Sequence, residues 1–338
     1  MGMDTLDQFN RPLRDLRISV TDRCNFRCTY CMPAEIFGEK YQFLQKQKIL
    51  TFEEITRLTR IIAGLGAVKI RLTGGEPLVR QSLETLVAGL SQTAGVADIA
   101  MTTNAFLLPE KAALLKQAGL QRITVSLDTL DDAIFQQMNG GRSDVASVLR
   151  GIQAAVDVGF APIKINCVVQ RGVNDATLVD MARYCRENGH ILRLIEYMDV
   201  GTRNGWEMAH VVSAREMLER IHAVFPLERV ARNYAEETAL RFRYLDGGGE
   251  LGVIASVTQP FCRNCSRLRL SPEGSIYTCL FATQGTDLKT PLRDGATDAE
   301  LADIVRGVWH ERTDRYSEER TTESAAGREK IEMYYIGG

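Results

Sequence analysis

The chain reads LRISVTDRCNFRCTYCMP over residues 16–33, where an alternating segment runs directly into three cysteines. Apolar residues occupy every second position of that segment, and Arg17 and Ser19 stand between them, as in a β-strand with one buried face. Proteins of the α/β class place their functional sites where such strands end. The stretch therefore predicts an α/β fold with a metal or cofactor site directly after the first strand.

Five further strand patterns follow before about residue 200, and helical patterns separate them. We expect the strands at residues 16–20, 68–73, 98–103, 122–128, 162–169 and 191–198. One of the helices begins with a capping box formed by Thr51 and Glu54. Strands that alternate with helices form parallel βαβ units. We therefore predict a partial (β/α)6 barrel of parallel strands.

Beyond residue 200 the pattern changes to a C-terminal α+β extension. The predicted elements are a helix near 214–225, strands at 240–245, 250–256, 267–271 and 275–280, and a helix at 298–310. We divide the chain into a barrel domain, residues 1–200, and a C-terminal region, residues 201–338. The C-terminal region is expected to pack against the barrel.

Composition and charge exclude several classes of protein. The 338 residues include 41 Lys and Arg against 43 Asp and Glu, and 45% are hydrophobic, which is typical of a soluble globular protein. A formal net charge of −2 argues against a nucleic-acid partner. No apolar run is long enough to span a membrane, and residues 1–4 lack the pattern of a signal peptide. We therefore expect a cytoplasmic protein with no membrane partner.

The polar faces of the predicted strands are unusually cationic. They carry Arg17, Lys69, Arg71 and Lys164, although buried parallel strands are usually apolar on both faces. Two unit charges about 8 Å apart at an effective dielectric of about 20 repel by roughly 2 kcal/mol, so four inward cations need anions. We interpret these faces as the wall of a wet cavity for a polyanionic substrate. The alternative is an exposed face of an open sheet.

Six of the eight cysteines form two groups of three. They are Cys24, Cys28 and Cys31, spaced C-x3-C-x2-C, and Cys262, Cys265 and Cys279, spaced C-x2-C-x13-C. In a reducing cytosol such groups are more often metal sites than disulfides. Three thiolates leave one metal position open for chemistry, whereas a fourth ligand from elsewhere would make either group a structural zinc site.

The first cysteine spacing, placed after a strand of an α/β protein, resembles the radical S-adenosylmethionine superfamily. The resemblance implies a [4Fe–4S] cluster on the first cysteine group, whose open iron binds S-adenosylmethionine, the source of a 5′-deoxyadenosyl radical. The segment RLTGGEP, residues 71–77, resembles the turn that binds the amino group of this cosubstrate. The residues implied to contact the cosubstrate are Tyr30, Gly75, Glu76, Ser126 and Met198.

The C-terminal stretch PFCRNCSRLRL, residues 260–270, and the final Gly337 and Gly338 resemble one branch of this superfamily. That branch begins molybdenum cofactor biosynthesis from GTP. The resemblance implies a second [4Fe–4S] cluster on the second cysteine group, which binds the guanine. Arginine forks suit phosphate oxygens. The residues expected to contact the substrate are Arg17, Lys69, Arg71, Thr102, Lys164, Arg267, Leu268 and Arg269.

The same resemblance implies a reaction. The radical abstracts the ribose 3′ hydrogen of GTP, and the sugar carbon then bonds to C8 of guanine, which gives 3′,8-cyclo-7,8-dihydro-GTP. We expect Arg17 to assist the reduction of the cyclised radical, and Gly337 and Gly338 to enter the cavity and support catalysis. Cyclic pyranopterin monophosphate synthase would consume the product, and an electron donor that the sequence does not identify would supply electrons. The oligomeric state stays open, with a homodimer as one alternative.

Two alternative functions remain open, and the sequence differs from the branch at one position. The rivals are a peptide-modifying radical enzyme with auxiliary clusters, which usually has more C-terminal cysteines, and a zinc-binding interaction module. The departure is Ala105, which stands where the branch usually has glycine after Thr-Asn. Because alanine takes a positive φ only at a cost, we expect a slightly different turn there.

Overall fold

Six parallel strands form the centre of the sheet in the structure, a computed structural model that describes residues 5–321 and 329–338. They are β1 (Asp15–Ser19), β2 (Lys69–Thr73), β3 (Asp98–Thr103), β4 (Arg122–Ser126), β5 (Lys164–Val169) and β6 (Ile191–Glu196). Each strand pairs in parallel with the next along the chain. The predicted partial (β/α)6 barrel is confirmed. Residues 1–4, where we expect no signal peptide, lie outside the described residues, as do residues 322–328.

Helices follow the strands and cover their apolar faces. They are α1 (Phe52–Gly64), α2 (Leu83–Ser91), α3 (Leu108–Gln117), α4 (Asp132–Asn139), α5 (Val145–Asp157), α6 (Leu178–Glu187) and α7 (Ala214–His222). The capping box of α1 is present, with reciprocal hydrogen bonds between Thr51 and Glu54. Leu16 and Ile18 of β1 are fully buried in the same hydrophobic core as Leu58 of α1. Burial of each such side chain stabilises the fold by roughly 1.5–3 kcal/mol, and the polar faces are left to line the inside of the barrel.

The C-terminal region extends both edges of this sheet. Its strands are β7 (Leu227–Val230), β8 (Leu240–Tyr244), β9 (Glu250–Ile254), β10 (Arg267–Leu270), β11 (Ser275–Tyr277) and β12 (Thr286–Asp287). β9 is parallel to β6, and β10 is parallel to β1, so the order is β12-β11-β10-β1 to β6-β9-β8-β7. The described residues of the region also form the helices α8 (Lys289–Arg293), α9 (Asp298–His310), α10 (Tyr316–Glu319) and α11 (Met333–Ile336). Among the described helices, none combines the length and apolar character needed to cross a membrane.

The turn after β3 holds alanine in the left-handed region. Ala105 itself has a positive φ of 66°, so the turn does not avoid the left-handed region. Its amide donates a hydrogen bond to the Thr103 hydroxyl at 3.1 Å. A Cβ on Gly151 of α5 would lie 2.0 Å from the Ala105 carbonyl oxygen, so the helix packs tightly on the turn. Surrounding contacts therefore hold a conformation that costs alanine about 1–2 kcal/mol.

Candidate active site

A cavity of about 390 Å³ lies inside the barrel, and we call it the chamber. Its volume is in the range of roughly 300–1,000 Å³ that is typical of ligand sites. All six cysteines of the two groups line it. The other residues singled out from the sequence that line it are Arg17, Tyr30, Lys69, Arg71, Gly75, Glu76, Thr102, Ser126, Lys164, Met198, Arg267, Arg269 and Gly338. The polar strand faces thus form the wall of an internal cavity.

Arg17 lies in the middle of a cationic layer of the chamber wall. It stands in register with Arg71 of β2 on one side and with Arg269 of β10 on the other. Residues in register share one face of a sheet, so the three guanidinium groups face the same side. Burial, and then the charges of Arg269 and its neighbours, lower the pKa of Arg17 well below its usual value. An anionic ligand would relieve this repulsion.

The next layer, two residues nearer the N-terminal ends of the strands, alternates in charge. Arg267, Asp15, Lys69 and Asp98 stand side by side in register on β10, β1, β2 and β3. Asp98 accepts a hydrogen bond from Arg122 of β4 at 2.7 Å. Neither these two carboxylates nor Arg122 was predicted from the sequence as a site residue. Continuing the strand alternation as far as each strand start would have found all three.

The far side of the chamber is also cationic. Burial and the charges of Arg193, Arg122 and Arg71 lower the pKa of Lys164 to about 8. Arg71 donates a hydrogen bond to the Thr102 hydroxyl at 3.1 Å. Arg193 of β6 was missed as well, although it alternates with apolar residues of that strand. The chamber therefore favours a ligand with several negative charges.

The first cysteine group follows β1 at its C-terminal end. The Phe26 amide donates a hydrogen bond to the Cys24 sulfur at 3.4 Å. Burial raises the pKa of Cys24 to about 12, and the charge of Glu76 adds to this effect. Burial also raises the pKa of Cys28 and of Cys31. Buried thiolates need a positive charge close by, which a metal centre supplies, so this group fits an iron–sulfur cluster.

The turn after β2 packs directly on the cysteine loop. The Gly75 amide donates to the Thr21 carbonyl, and the Glu76 amide donates to the Arg23 carbonyl, both at 2.8 Å. A Cβ on Gly75 would lie 2.2 Å from the Arg23 carbonyl oxygen, so the close approach requires glycine. The Glu76 carboxylate accepts from the Asn104 amide at 2.8 Å, and burial raises its pKa to about 7. The Glu76 side chain thus ties this turn to the end of β3, while the two backbone amides hold the turn against the cysteine loop.

Tyr30, Ser126 and Met198 lie on the chamber wall with the first cysteine group. The Tyr30 hydroxyl donates a hydrogen bond to the Asp128 carboxylate at 2.8 Å. Ser126 ends β4 and stands in register with Asn166 of β5. The Asn166 side-chain oxygen is buried and has no hydrogen-bond partner among the described residues. Buried polar atoms are normally paired, so this oxygen suits contact with a ligand.

The second cysteine group carries arginine partners. Arg267 donates to the Cys265 sulfur at 3.3 Å, and Arg312, which no sequence motif marks, donates to the Cys265 carbonyl at 2.6 Å. Burial alone would raise the pKa of Cys265, but the charges of Arg267 and Arg312 lower it to about 6. The thiolate is the form that binds metals, so this group also fits a cluster. Within residues 5–321 and 329–338, no three Cys, His, Asp or Glu side chains form a group suited to one metal ion. This finding applies equally to a zinc ion and to a cluster, so it does not distinguish the two alternatives.

The C-terminal tail enters the chamber. Gly338 lines it, and the Gly337 carbonyl accepts a hydrogen bond from Arg269. Gly337 has a φ of 76°, and a Cβ there would lie 2.3 Å from the Thr73 hydroxyl oxygen, so the position requires glycine. Leu268 instead packs into the hydrophobic core, because it alternates with two chamber-facing arginines. Its predicted substrate contact can come only from its backbone.

Known proteins share this fold. Residues 18–185 match the family model described as the Radical SAM superfamily. The solved structure of Streptococcus suis SuiB bound to S-adenosylmethionine matches with a TM-score of 0.63 and 15% identity, over 96% of this chain and 74% of that one. This likeness concerns the fold. Fold, cysteine spacing and family match together define a radical S-adenosylmethionine enzyme, a class that uses S-adenosylmethionine and an iron–sulfur cluster.

The C-terminal half narrows the class. Residues 190–318 match the family model described as Molybdenum Cofactor Synthesis C. The GTP 3′,8-cyclases of Acidothermus cellulolyticus and Staphylococcus saprophyticus are 50% and 49% identical to this chain, each over 98% of both sequences. That of Xanthomonas axonopodis pv. citri is 48% identical over the same shares. The chain belongs to the GTP 3′,8-cyclase family, whose reaction is a step of molybdenum cofactor biosynthesis.

Proposed function

We propose that this chain binds GTP in the chamber and converts it to (8S)-3′,8-cyclo-7,8-dihydro-GTP. The observation that carries the proposal is that both cysteine groups and the cationic strand faces line the same chamber. A cluster held by Cys24, Cys28 and Cys31 would supply the electron for reductive cleavage of S-adenosylmethionine. The ribose 3′ hydrogen would then pass to the deoxyadenosyl radical, C3′ would bond to C8, and one electron and one proton would complete the product. This chain's residues bind and orient both substrates and exclude water.

The cationic layers hold the triphosphate. Each charge-assisted hydrogen bond contributes roughly 1.5–3 kcal/mol, so several together bind a triphosphate without a P-loop. Arg17, Arg71 and Arg269 share one layer, and Lys164 of β5 lines the same chamber. We assign to Arg17 a second role, in which its charge favours the electron transfer that reduces the cyclised radical.

We propose that Cys262, Cys265 and Cys279 would hold a second [4Fe–4S] cluster, whose open iron would bind the guanine. In support, the three thiols line the chamber, and arginine charges favour the thiolate of Cys265. Iron analysis of anaerobically reconstituted protein tests the count. Two clusters predict about eight irons per chain, and about four irons would leave the first cluster alone.

The tail is proposed to support catalysis from inside the chamber. Gly338 lines the chamber, and Gly337 contacts Arg269, one of the proposed phosphate ligands. A chain that lacks Gly337 and Gly338 is therefore expected to lose most of its turnover while keeping both clusters. Undiminished turnover of that truncated chain would remove the role.

The remaining proposals concern the partner proteins of this enzyme, its location in the cell, its domains and its oligomeric state. We propose that cyclic pyranopterin monophosphate synthase consumes the product, that a low-potential donor supplies the electrons, and that the enzyme works in the cytoplasm, where thiolates stay reduced. The division into residues 1–200 and 201–338 stays our proposal, and the two family models meet near it, at residues 185 and 190. A homodimer stays an open alternative, which analytical ultracentrifugation decides.

Anaerobic incubation with a reductant, S-adenosylmethionine and GTP, followed by mass analysis, tests the proposed reaction. We expect 5′-deoxyadenosine and an isomer of GTP in equal amounts. Deoxyadenosine without an altered nucleotide would leave the radical chemistry in place and reject GTP as the substrate.

A further inference from the structure

Asp199 is a buried carboxylate just beyond the end of β6, directly after Met198, and it is 3% exposed. The Lys330 ammonium donates to its Oδ2 at 2.6 Å and to its backbone carbonyl at 2.8 Å. The Tyr316 hydroxyl donates to the same Oδ2 at 2.5 Å. Arg320 completes the cluster with its Nε 2.9 Å from Oδ1. One carboxylate therefore holds two cations and one hydroxyl away from solvent.

The two cations belong to different parts of the chain. Arg320 lies at the end of the segment that contains α10, whereas Lys330 begins the C-terminal tail. Both rest on the stacked rings of Phe281 and Tyr316, whose centres are 4.5 Å apart, and the Lys330 ammonium lies 4.8 Å from the centre of the Tyr316 ring. The Lys330 ammonium thus lies in a site, which we call the seat, formed by one carboxylate, one carbonyl and two aromatic rings.

This seat adjoins the proposed active site. Phe281 and Tyr316 belong to a hydrophobic cluster that also includes Met198, Cys279 and the tail residue Met333. Eight residues after Lys330 the chain ends at Gly338 on the chamber wall. Lys330 is therefore an anchor point eight residues before the tail reaches the chamber wall.

We propose that Asp199 is a positioning residue that seats the C-terminal tail through Lys330, so that the Gly337 carbonyl meets Arg269 and Gly338 reaches the chamber. Asp199 acts through the tail and not on the substrate. The consequence for turnover rests on the proposed catalytic role of the tail, whereas the seating itself does not.

Lys330→Met tests the seating without leaving a buried charge unpaired. Asp199 keeps Arg320 and Tyr316 in this variant, and methionine is close to lysine in volume, so the fold should persist. Arg320→Met is the matched control, because it removes another buried cation from the same carboxylate, and Arg320 does not belong to the tail. Hydrogen exchange of the reconstituted enzyme, read by mass spectrometry, measures the protection of residues 329–338.

We expect at least tenfold faster exchange of the tail amides in Lys330→Met, with the barrel strands unchanged, and wild-type tail exchange in Arg320→Met. Wild-type protection of the tail in Lys330→Met would overturn the proposal. Equal exposure of the tail in both variants would also overturn it, because the cluster would then act only as general packing.

The effect of Lys330→Met on kcat then distinguishes positioning of the tail from a general loss of stability. Lys330→Met should lower kcat at least fivefold in the full chain and have no further effect in a chain that lacks Gly337 and Gly338. An equal loss in both backgrounds would contradict the proposal. If the truncated chain is fully active while Lys330→Met still exposes the tail, the seating stands and the catalytic role of the tail fails.

Discussion

The Lys69 ammonium lies 3.2 Å from the centre of the Tyr234 ring. Lys69 begins β2, whereas Tyr234 belongs to the loop between β7 and β8, at the far end of the sheet. That loop therefore crosses the barrel at the N-terminal ends of its strands. Asp15 and Asp98, the neighbours of Lys69 in register, accept hydrogen bonds from other side chains, which leaves the ring face to hold the ammonium.

Removal of this ring should weaken GTP binding. In Tyr234→Ala the Lys69 side chain loses a cation–π contact worth about 0.5–2 kcal/mol, so we expect KM for GTP to rise about 2- to 30-fold with little change in kcat. Tyr234→Phe keeps the ring and should stay within about twofold of the wild type. Anaerobic steady-state assays at varied GTP measure both constants. A wild-type KM in the alanine variant would show that the ring does not position Lys69.

Strand alternation was sufficient to place Arg17, Arg71 and Lys164 on the chamber wall. The alternation of side chains along a strand is a local property with a period of two, so it can be read from one segment at a time. The alignment of Arg17 with Arg71 and Arg269 in one layer depends instead on register between strands. Register follows from the packing of the whole sheet, and single segments do not determine it.

Long-range pairing explains most of what the sequence analysis did not find. β10 joins β1 by pairing Arg267 with Asp15, and nothing in either segment marks the other as its partner. The seat formed by Asp199 and Lys330 lacks a local pattern for the same reason. At Ala105 the local preference is misleading: alanine disfavours a positive φ, but tertiary contacts impose a φ of 66°.

Gly75→Ala should disrupt the first cluster site. The added methyl group would overlap the Arg23 carbonyl oxygen, and relief of this overlap requires a shift of the cysteine loop, at a cost of about 1–3 kcal/mol or more. We expect a lower melting temperature and loss of about half of the bound iron after anaerobic reconstitution.

Gly64→Ala is the matched control for that substitution. Gly64 ends α1, is exposed, and has no atom within 4 Å of an added Cβ. Alanine there should stabilise the helix by about 0.5–1 kcal/mol and leave the iron content unchanged. Equal iron content and melting temperature in Gly75→Ala and the wild type would contradict the close approach of Gly75 to the Arg23 carbonyl.

Arg17→Ala should separate radical formation from product formation. The substitution removes the central cation of its layer but no ligand of either cysteine group, so 5′-deoxyadenosine should still form. Loss of one charge-assisted hydrogen bond of roughly 1.5–3 kcal/mol predicts about a 10- to 150-fold fall in formation of the cyclised nucleotide. Chromatography of both products from one reaction gives the ratio. An unchanged ratio with full turnover would show that Arg17 has no role in the reaction.

Lys164 should make GTP binding depend on pH. Burial and three neighbouring arginines lower its pKa to about 8, so the ammonium form predominates below that pH and the neutral amine above it. Only the ammonium attracts phosphate, and KM for GTP should therefore rise as the pH increases from about 8 to about 9.5, by about tenfold for the loss of one charge-assisted contact. Lys164→Arg should retain most of its charge over this range, because the ordinary pKa of arginine is about 12.5–13.8, against about 10.4 for lysine. The variant should bind GTP with a flat profile, and a rise in KM equal to that of the wild type would assign the titration to another group.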